Sequence, residues 1–544
     1  MRTLEDEKQQ DSMAKWLLLA VAAASLIQTF VYIIRTPAGF TYPLVHNYEA
    51  DYYWYLSLMR QGWDGKLSVT TRFTGENFPP QPVNTFFPVL GMVSRISGLS
   101  LPVIYTVARV AFGWGLLYMS LRLLRLLKLD KQQAVAVMIL VVLGVPLWYL
   151  SEGKIVQAGE FWTGFDPILR ITWLPHHLAA NCLYLGGLIL FVRLFTGTSL
   201  KPPAFIRGIV LAAVIFMAGA WINPAIIPLA TVSLGLAIAI SLVQRTVPVL
   251  KLLAGGSAVA AGLAGVTLAL WKVQNSTFPW TAFRDWEQYI TYPVTAGSYL
   301  LTLGLPGLLA LPGIIIALKR KSLIWNMVTG WFLFPLLGLE ILNRLLPLSN
   351  GRYLQGAGYI PAAILSVPIL SAVAVYFRKT MKLKLSTTLA GTVLTIAVVI
   401  WGMPAFAASV SRQMAYAKKN LSNTQVLVPQ NVFGALTELS GTPDCGIVMA
   451  PDTVSPLIPA FSSCRSVAGH PTFTFNPSEK IALLNSFYSG SDEVRAQEAV
   501  RQSGAAMILV FSDLNRNRAQ KAGFRPVWEG SGIGIYGKIS PKGI

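Results

Sequence analysis

Long apolar runs separated by short polar stretches make up most of the chain up to about residue 405. An apolar run of about 20 residues is long enough to cross the hydrocarbon core of a bilayer as a helix, so each run predicts a membrane span. That makes about eleven spans. They are expected at residues 15–34, 102–121, 133–150, 176–195, 205–222, 225–243, 250–271, 298–318, 323–342, 355–377 and 385–404. The Asn223-Pro224 break leaves open whether residues 205–243 form two spans or one re-entrant element.

The stretch between the first two runs, residues 35–101, is a long loop with a pattern of its own. Apolar residues recur at helical spacing from Tyr53 to Met59, and the Pro-rich segment 79–82 ends that pattern. Residues 84–98 are apolar but too short to span a bilayer, and they suit an amphipathic helix in the membrane interface. The loop is therefore expected to carry interfacial helices.

After about residue 405 the pattern becomes that of an ordinary globular domain. The tail contains, in order, a short strand, two helices, a second strand and a hairpin. These elements are expected at residues 446–451, 478–488, 492–503, 505–511 and 525–539. We therefore expect a membrane domain over residues 1–404 and a small α/β domain over residues 405–544.

Composition supports a membrane protein and argues against a nucleic-acid-binding one. Of the 544 residues, 53% are hydrophobic and 12% are charged, against about 25% charged in a soluble domain. The net charge of +20 comes from Lys and Arg in short clusters between the apolar runs, where such residues act as topology signals. The chain is interpreted as a polytopic α-helical membrane protein.

The loops fall into two alternating sets. Short basic loops are expected in the cytoplasm by the positive-inside rule, and the longer loops with few Lys and Arg are expected outside. An odd number of spans then puts the N-terminus in the cytoplasm. The first long loop and the C-terminal domain come to lie on the extracytoplasmic side.

An acidic pair, Glu49 and Asp51, opens the helical stretch of the first outer loop among aromatic residues. Carboxylates there suit general-base or metal chemistry. The alternative is a solvated loop whose acids favour the start of a helix. The pair is a candidate site because of its position in the first outer loop and its expected side of the membrane, and not because of the spacing of its two acids.

Other polar residues are expected on the same side. His176 and His177 lie at the entrance of a span, where they either anchor the helix in the interface or bind a polar substrate; their spacing does not suit zinc. Arg109, inside a span, either extends to the interface or holds an anion. Further candidates from the outer loops and the tail are Asp166, Arg284, Trp286, Arg352 and His470.

The tail holds two of the three cysteines, Cys445 and Cys464. In a domain outside the cytoplasm, one disulfide is the favoured state of such a pair. A metal pair or two free thiols are the alternatives.

With Glu49-Ala50-Asp51 in the first outer loop, many spans and an outward C-terminal domain, the chain resembles the GT-C class of polyprenyl-phosphate-sugar-dependent membrane glycosyltransferases. That class includes protein O-mannosyltransferases, the aminoarabinose transferase of lipid A and oligosaccharyltransferase catalytic subunits. The segments Asp51–Gly62, Trp173–His177 and Gly469–Lys480 are similar to segments of bacterial GT-C-like proteins.

The resemblance implies an inverting transfer of a sugar from a polyprenyl-phosphate donor to an acceptor hydroxyl, at the outer face of a bacterial inner membrane. Asp51 would be the base, and Glu49 would assist it or share a divalent cation such as Mg or Mn. Arg352, Arg109 and Arg284 would stabilise the lipid phosphate. The residues expected to contact substrate are Tyr53, Asp166, His176, His177, Trp286 and His470. Donor, membrane lipids and an acceptor glycan, lipid or protein are the expected partners.

Three other functions are compatible with this pattern. A polymerase or ligase of lipid-linked glycans shares the substrate class. A flippase or transporter would show internal repeats and midplane charges, and the sequence offers no convincing repeat. A non-catalytic scaffold leaves the polar residues of the outer side unexplained.

Overall fold

A computed structural model describes residues 19, 23, 26–46, 48–158, 163–196, 201–346, 348–382, 387–442 and 445–538. The chain divides into two compact units. The helical unit consists of residues up to Leu26, Ala108–Ala269 and Glu287–Gln413. The mixed unit consists of Ile27–Val107, Leu270–Trp286 and Met414–Ile544. The domain boundary expected at residue 404 stays a prediction, and the helix Thr387–Asn420 runs through it.

Within the described ranges, eight helices are long and apolar enough to cross a membrane, or nine if one bent pair is a single span. They are Leu101–Leu126, Pro175–Thr196, Pro202–Ile222, Ile226–Gln244, Val249–Gln274, Leu323–Leu345, Tyr359–Thr380 and Leu389–Asn420. The chain is therefore an integral membrane protein. The count of eleven spans is not confirmed, because nearly half of the span expected at residues 15–34 lies outside the described residues. Asn223 separates two span-length helices.

The span expected at residues 133–150 is wrong in its second half. The helix Lys131–Leu143 has 13 residues and ends before Gly144. Pro146 then lacks the N–H that a helix needs and disfavours helical geometry at the residue before it. The chain instead forms an antiparallel strand pair, Trp148–Ser151 with Lys154–Gln157.

The span expected at residues 298–318 is sharply bent. Helices Ala296–Thr302 and Gly304–Lys319 meet at 116°. Gly304 sits at the bend with a φ of 70°, and a Cβ there would lie 1.9 Å from the carbonyl oxygen of Val145. Only glycine combines that backbone conformation with that approach.

The helical unit is held together by pairs of long helices. Pro175–Thr196 packs on Pro202–Ile222, and Gly304–Lys319 packs on Tyr359–Thr380. A third pair, Leu323–Leu337 with Ile226–Gln244, includes a buried polar contact in which Asn326 donates to the Ser241 hydroxyl at 2.8 Å. Such interhelical hydrogen bonds stabilise membrane bundles modestly.

The loop of residues 35–101 carries two helices, and their expected position in the membrane interface stays a prediction. Glu49–Trp63 and Phe86–Ser97 pack closely on each other. A Cβ on Gly91 would lie 1.8 Å from the carbonyl oxygen of Met59, so the backbones touch where a side chain would not fit. The short strand Phe40–Thr41 before these helices pairs with Val428–Pro429 of the tail.

The tail forms the expected α/β domain around a five-stranded sheet. In sheet order its strands are Arg465–Ser466, Ile447–Met449, Met507–Val510, Ile533–Lys538 and Phe524–Gly530. The first three are parallel and the last two antiparallel to their neighbours. Helices Pro477–Tyr488 and Glu493–Ser503 contribute Phe487 and Ala499 to its core. The remaining helices of ordinary α type are Ile27–Arg35, Trp280–Tyr289, Gln430–Gly441, Ile458–Phe461 and Asp513–Lys521.

Candidate active site

Asp51 lies in the first turn of the helix Glu49–Trp63. The next three residues, Tyr52, Tyr53 and Trp54, are buried, whereas the Asp51 side chain is 44% exposed. An acid in the first turn is favoured by the positive end of the helix dipole. The helix thus holds its aromatic residues in the core and presents one carboxylate to solvent.

His470, from the tail, faces this carboxylate. Its Nε2 lies 3.5 Å from Asp51 Oδ1, and its side chain is 4% exposed. Its Nδ1 accepts hydrogen bonds from the backbone N–H groups of Thr472 at 3.0 Å and Phe473 at 3.2 Å. An acceptor nitrogen carries no proton, so the proton of the neutral ring is on Nε2 and faces Asp51.

The turn that carries His470 is fixed to the first outer loop. Thr474 Oγ1 accepts from the His470 N–H at 3.0 Å and donates to the carbonyl of Phe73 at 2.9 Å. The ring of Trp54, from the Asp51 helix, stacks on Phe473 with centroids 3.9 Å apart. His470 and Asp51 are therefore positioned by packing as well as by hydrogen bonds.

Glu49 has a different environment from Asp51. Its Oε1 accepts from Asn423 Nδ2 at 2.6 Å, and sequence analysis offered no signal for Asn423. The nearby Tyr53 hydroxyl donates to the backbone carbonyl of Gln425. Burial, and then the charge of Glu49, raises the pKa of Tyr53 well above its usual value. The Tyr53 hydroxyl is therefore already used within the protein.

Trp286 and Arg284 lie on the helix Trp280–Tyr289. The Trp286 ring stacks on Phe283 at 5.7 Å, and Phe283 in turn faces Phe473 at 6.2 Å. Arg284 donates to Asn275 Oδ1 and Asp285 Oδ1, both at 2.6 Å. Trp286 thus joins the aromatic group around the His470 turn, whereas Arg284 has local polar partners.

In the helical unit, Arg352 is paired with Glu287. Arg352 Nε donates to Glu287 Oε1 at 2.8 Å, and Nη2 donates to Oε2. The Glu287 side chain is only 7% exposed. The sequence predicted Arg352 on the outer side but gave no sign of its pairing with Glu287. A phosphate at Arg352 would have to share this guanidinium with Glu287.

Arg109 and the two histidines lie near the start of the helix Pro175–Thr196. Arg109 is 1% exposed, and its Nε donates to the backbone carbonyls of Thr172 at 2.6 Å and Trp173 at 3.0 Å. The rings of His176 and His177 are 4.3 Å apart. Arg109 is therefore buried under the entrance of this helix rather than extended to an interface.

Asp166 closes a turn. Its Oδ1 accepts from the backbone N–H of Ile168 at 2.8 Å, and its Oδ2 accepts from Gln413 at 3.3 Å. Burial raises the pKa of Asp166 above its usual range, against the lowering effect of these hydrogen bonds. The same segment carries Arg170, whose guanidinium lies 4.8 Å from the centre of the Tyr359 ring.

Metal binding has limited support among the described residues. No group of three or more His, Cys, Asp and Glu side chains in that part of the chain could hold a metal ion. Glu49 and Asp51 could contribute two carboxylates, and a divalent cation would take further oxygens from a bound phosphate.

No family model and no curated protein matches the chain. Several solved structures match it in fold. The archaeal oligosaccharyltransferase AglB from Archaeoglobus fulgidus, in complex with an inhibitory peptide and a dolichol-phosphate, matches with a TM-score of 0.52 at 14% identity, over 91% of this chain and 69% of that one. The same enzyme in complex with Zn and sulfate matches with a TM-score of 0.50 at 14% identity, over 91% and 67% of the two chains.

ArnT from Cupriavidus metallidurans, bound to undecaprenyl phosphate, matches with a TM-score of 0.50 at 12% identity, over 97% of this chain and 98% of that one. AglB and ArnT are both GT-C glycosyltransferases. At these identities the likeness concerns the fold, and the chain therefore has the fold of the GT-C class that its sequence resembles.

Proposed function

We propose that the protein is a membrane glycosyltransferase that moves a sugar from a polyprenyl-phosphate donor to an acceptor hydroxyl. The observation that carries the proposal is the exposed Asp51 carboxylate facing the buried Nε2–H of His470, in a chain with the GT-C fold. A carboxylate that is open to solvent and lies beside an imidazole nitrogen suits a general base.

The donor class is supported by the matching structures. Those proteins were solved with dolichol-phosphate and with undecaprenyl phosphate. The long apolar helices of this chain suit a donor whose polyprenyl chain stays in the bilayer. The acceptor supplies the hydroxyl.

In the proposed reaction, Asp51 takes the proton of the acceptor hydroxyl as its oxygen forms a bond to the sugar's anomeric carbon. The bond from that carbon to the phosphate oxygen breaks, and the polyprenyl phosphate leaves with the electron pair. A single displacement inverts the anomeric centre and needs no nucleophile on the protein. His470 keeps the Asp51 carboxylate oriented towards the acceptor.

The leaving phosphate needs positive charge that is already in place. Arg352, Arg109 and Arg284 are the proposed donors, and Arg352 would share its guanidinium between Glu287 and the phosphate. A divalent cation such as Mg or Mn, held by Glu49 and Asp51, would add to this charge. Substrate contacts are proposed for Tyr53, Asp166, His176, His177 and Trp286, whereas His470, which the sequence also predicted as a substrate contact, is proposed to act through Asp51.

Transfer is proposed on the extracytoplasmic side, and the distribution of Lys and Arg among the loops supports that side for Asp51. A cysteine introduced at the exposed position 452 of the tail should react with a membrane-impermeant maleimide added to intact cells. Labelling at position 452 only after the cytoplasmic face is opened would contradict this sidedness.

The activity is tested with purified protein and a panel of polyprenyl-phosphate sugars, by measuring sugar transfer and released polyprenyl phosphate. Wild type should turn over at least one donor, and Asp51→Asn should not. Asp452→Asn is the matched control, because Asp452 is an exposed acid of the same unit. Full turnover by Asp51→Asn, with product formed at the wild-type rate, would contradict the assignment.

A further inference from the structure

The mixed unit contains a cleft of about 870 Å³, a volume typical of small-molecule sites. Its walls come from the end of the Asp51 helix, from the loop after it, and from three positions of the tail, Gly446, Ser463 and Arg465. All three adjoin the disulfide between Cys445 and Cys464, which ties that wall together. Asp51 and His470 do not line the cleft.

Arg72 is a buried cation in the wall of this cleft. Its side chain is 7% exposed, and its Nη2 contacts Asp64 Oδ2 at 2.9 Å. Its Nη1 is buried and makes no hydrogen bond within the described part of the chain. Burial lowers the pKa of Arg72, and repulsion from Arg60 and Arg465 adds to this against the effect of Asp64.

The negative charge beside Arg72 is shared. Asp64 also contacts Arg60 at 3.3 Å and accepts from the Ser463 hydroxyl at 3.0 Å, so one carboxylate serves two guanidinium groups. Glu76, whose charge acts on Arg465, is paired with Lys480 at 2.6 Å. The cleft therefore has an excess of positive charge that a bound anion would offset.

The outer part of the cleft offers free polar groups. Lys66 and Asn77 are exposed, and with Ser68 they line the cleft. Their side chains make no hydrogen bond or ion pair with other described residues. Pro79 and Pro80 provide an apolar surface between them. A pyranose ring has hydroxyl groups at its edge and an apolar C–H face. The polar side chains could bind the hydroxyls, and the proline surface could pack against the C–H face.

We propose that this cleft binds an acidic saccharide, one that carries a carboxylate or phosphate group. Arg72, Arg465 and Lys66 would hold the anionic group through charge-assisted hydrogen bonds. Asn77 and Ser68 would bind ring hydroxyls over the Pro79-Pro80 surface. An acidic peptide would satisfy the arginines but would leave this sugar-like surface unused.

Binding is measured by titration calorimetry on the full-length protein in detergent at constant ionic strength. The probes are trigalacturonate and mannose 6-phosphate, each against its neutral counterpart, maltotriose or mannose. We expect at least one acidic probe to bind at least tenfold more tightly than its counterpart. Equal affinity for the acidic and neutral probes would overturn the proposal. So would binding of inorganic phosphate or triaspartate as tightly as the best acidic probe.

Two variants test the cleft itself. Lys66→Glu changes an exposed side chain without contacts in the described structure, so it should fold normally and weaken the acidic probe about tenfold. Arg465→Gln should weaken it similarly. The control Arg525→Gln removes an exposed cation elsewhere in the unit and should leave the affinity unchanged. Unchanged affinity in Lys66→Glu would refute the site.

The inference is separable from the proposed transferase activity, because equilibrium binding needs no turnover. Asp51→Asn should bind the acidic probe as wild type does. Loss of binding in Asp51→Asn would place the ligand at the acidic pair rather than in this cleft, and would overturn the inference.

Discussion

His470 makes two kinds of contact that substitution can separate. Its Nδ1 accepts two backbone N–H groups within its own turn, and its Nε2 faces Asp51 at 3.5 Å. In His470→Asn, Oδ1 stands at the same distance from Cβ as Nδ1 and can accept both N–H groups, but nothing reaches Asp51. In His470→Ala both contacts are lost.

The two variants should differ in stability. A buried N–H that loses its acceptor costs about 1–3 kcal/mol, so His470→Ala should lower the free energy of unfolding by roughly 2–4 kcal/mol. His470→Asn keeps the acceptor and should lose the ring contacts, of which the nearest is with Phe473 at 4.5 Å between centroids; His470→Ala loses these as well. Such aromatic contacts contribute about 0.5–1.5 kcal/mol. Thermal unfolding in detergent measures the difference.

Catalysis should fall in both variants. Loss of the contact between His470 Nε2 and Asp51 Oδ1, which lie 3.5 Å apart, should lower kcat about tenfold, equivalent to roughly 1.4 kcal/mol. The donor KM should stay unchanged, since His470 acts through Asp51. Equal destabilisation by Asn and Ala would refute the tautomer argument, and wild-type kcat in His470→Asn would refute the positioning role.

Three further predictions concern stability. Cys445→Ser/Cys464→Ser opens a disulfide between residues 19 apart and should cost about 3 kcal/mol, seen as a lower Tm; an unchanged Tm would contradict it. Arg352→Gln leaves the buried Glu287 unpaired and should lower the free energy of unfolding by about 3 kcal/mol. The double variant Arg352→Gln/Glu287→Gln should recover most of the lost Tm. No recovery would show that the loss of this ion pair is not the cause. Burial raises the pKa of Asp166, so its contribution to stability is present below about pH 4 and is lost as the pH rises through the raised pKa. The Tm of wild type should therefore fall across this pH range, and the Tm of Asp166→Asn should not show this fall. Parallel Tm profiles of the two proteins would refute the prediction.

Local patterns in the sequence were enough for much of the fold. The helical spacing after Tyr53 predicted the helix Glu49–Trp63, and the apolar run near Ile508 predicted a strand, because both signals depend on neighbouring residues only. The same approach failed after Leu143. Apolar composition continues there, but Gly144 and Pro146 end the helix.

The site depends on contacts that no local pattern carries. Sequence placed Asp51 and His470 on one side of the membrane, but their approach depends on how the tail packs against the first loop. The pairing of Glu287 with Arg352 is likewise a product of tertiary packing. Charge patterning predicts which face a residue belongs to and gives no distance between residues on that face.

The role of Asp51 is tested most directly by separating donor binding from chemistry in Asp51→Asn, with a donor that wild type uses. The account predicts that the variant binds this donor within about twofold of wild type, while its single-turnover rate falls by roughly 10²–10⁴, the usual contribution of a general base. A single-turnover rate equal to that of wild type and of Asp452→Asn would contradict the account.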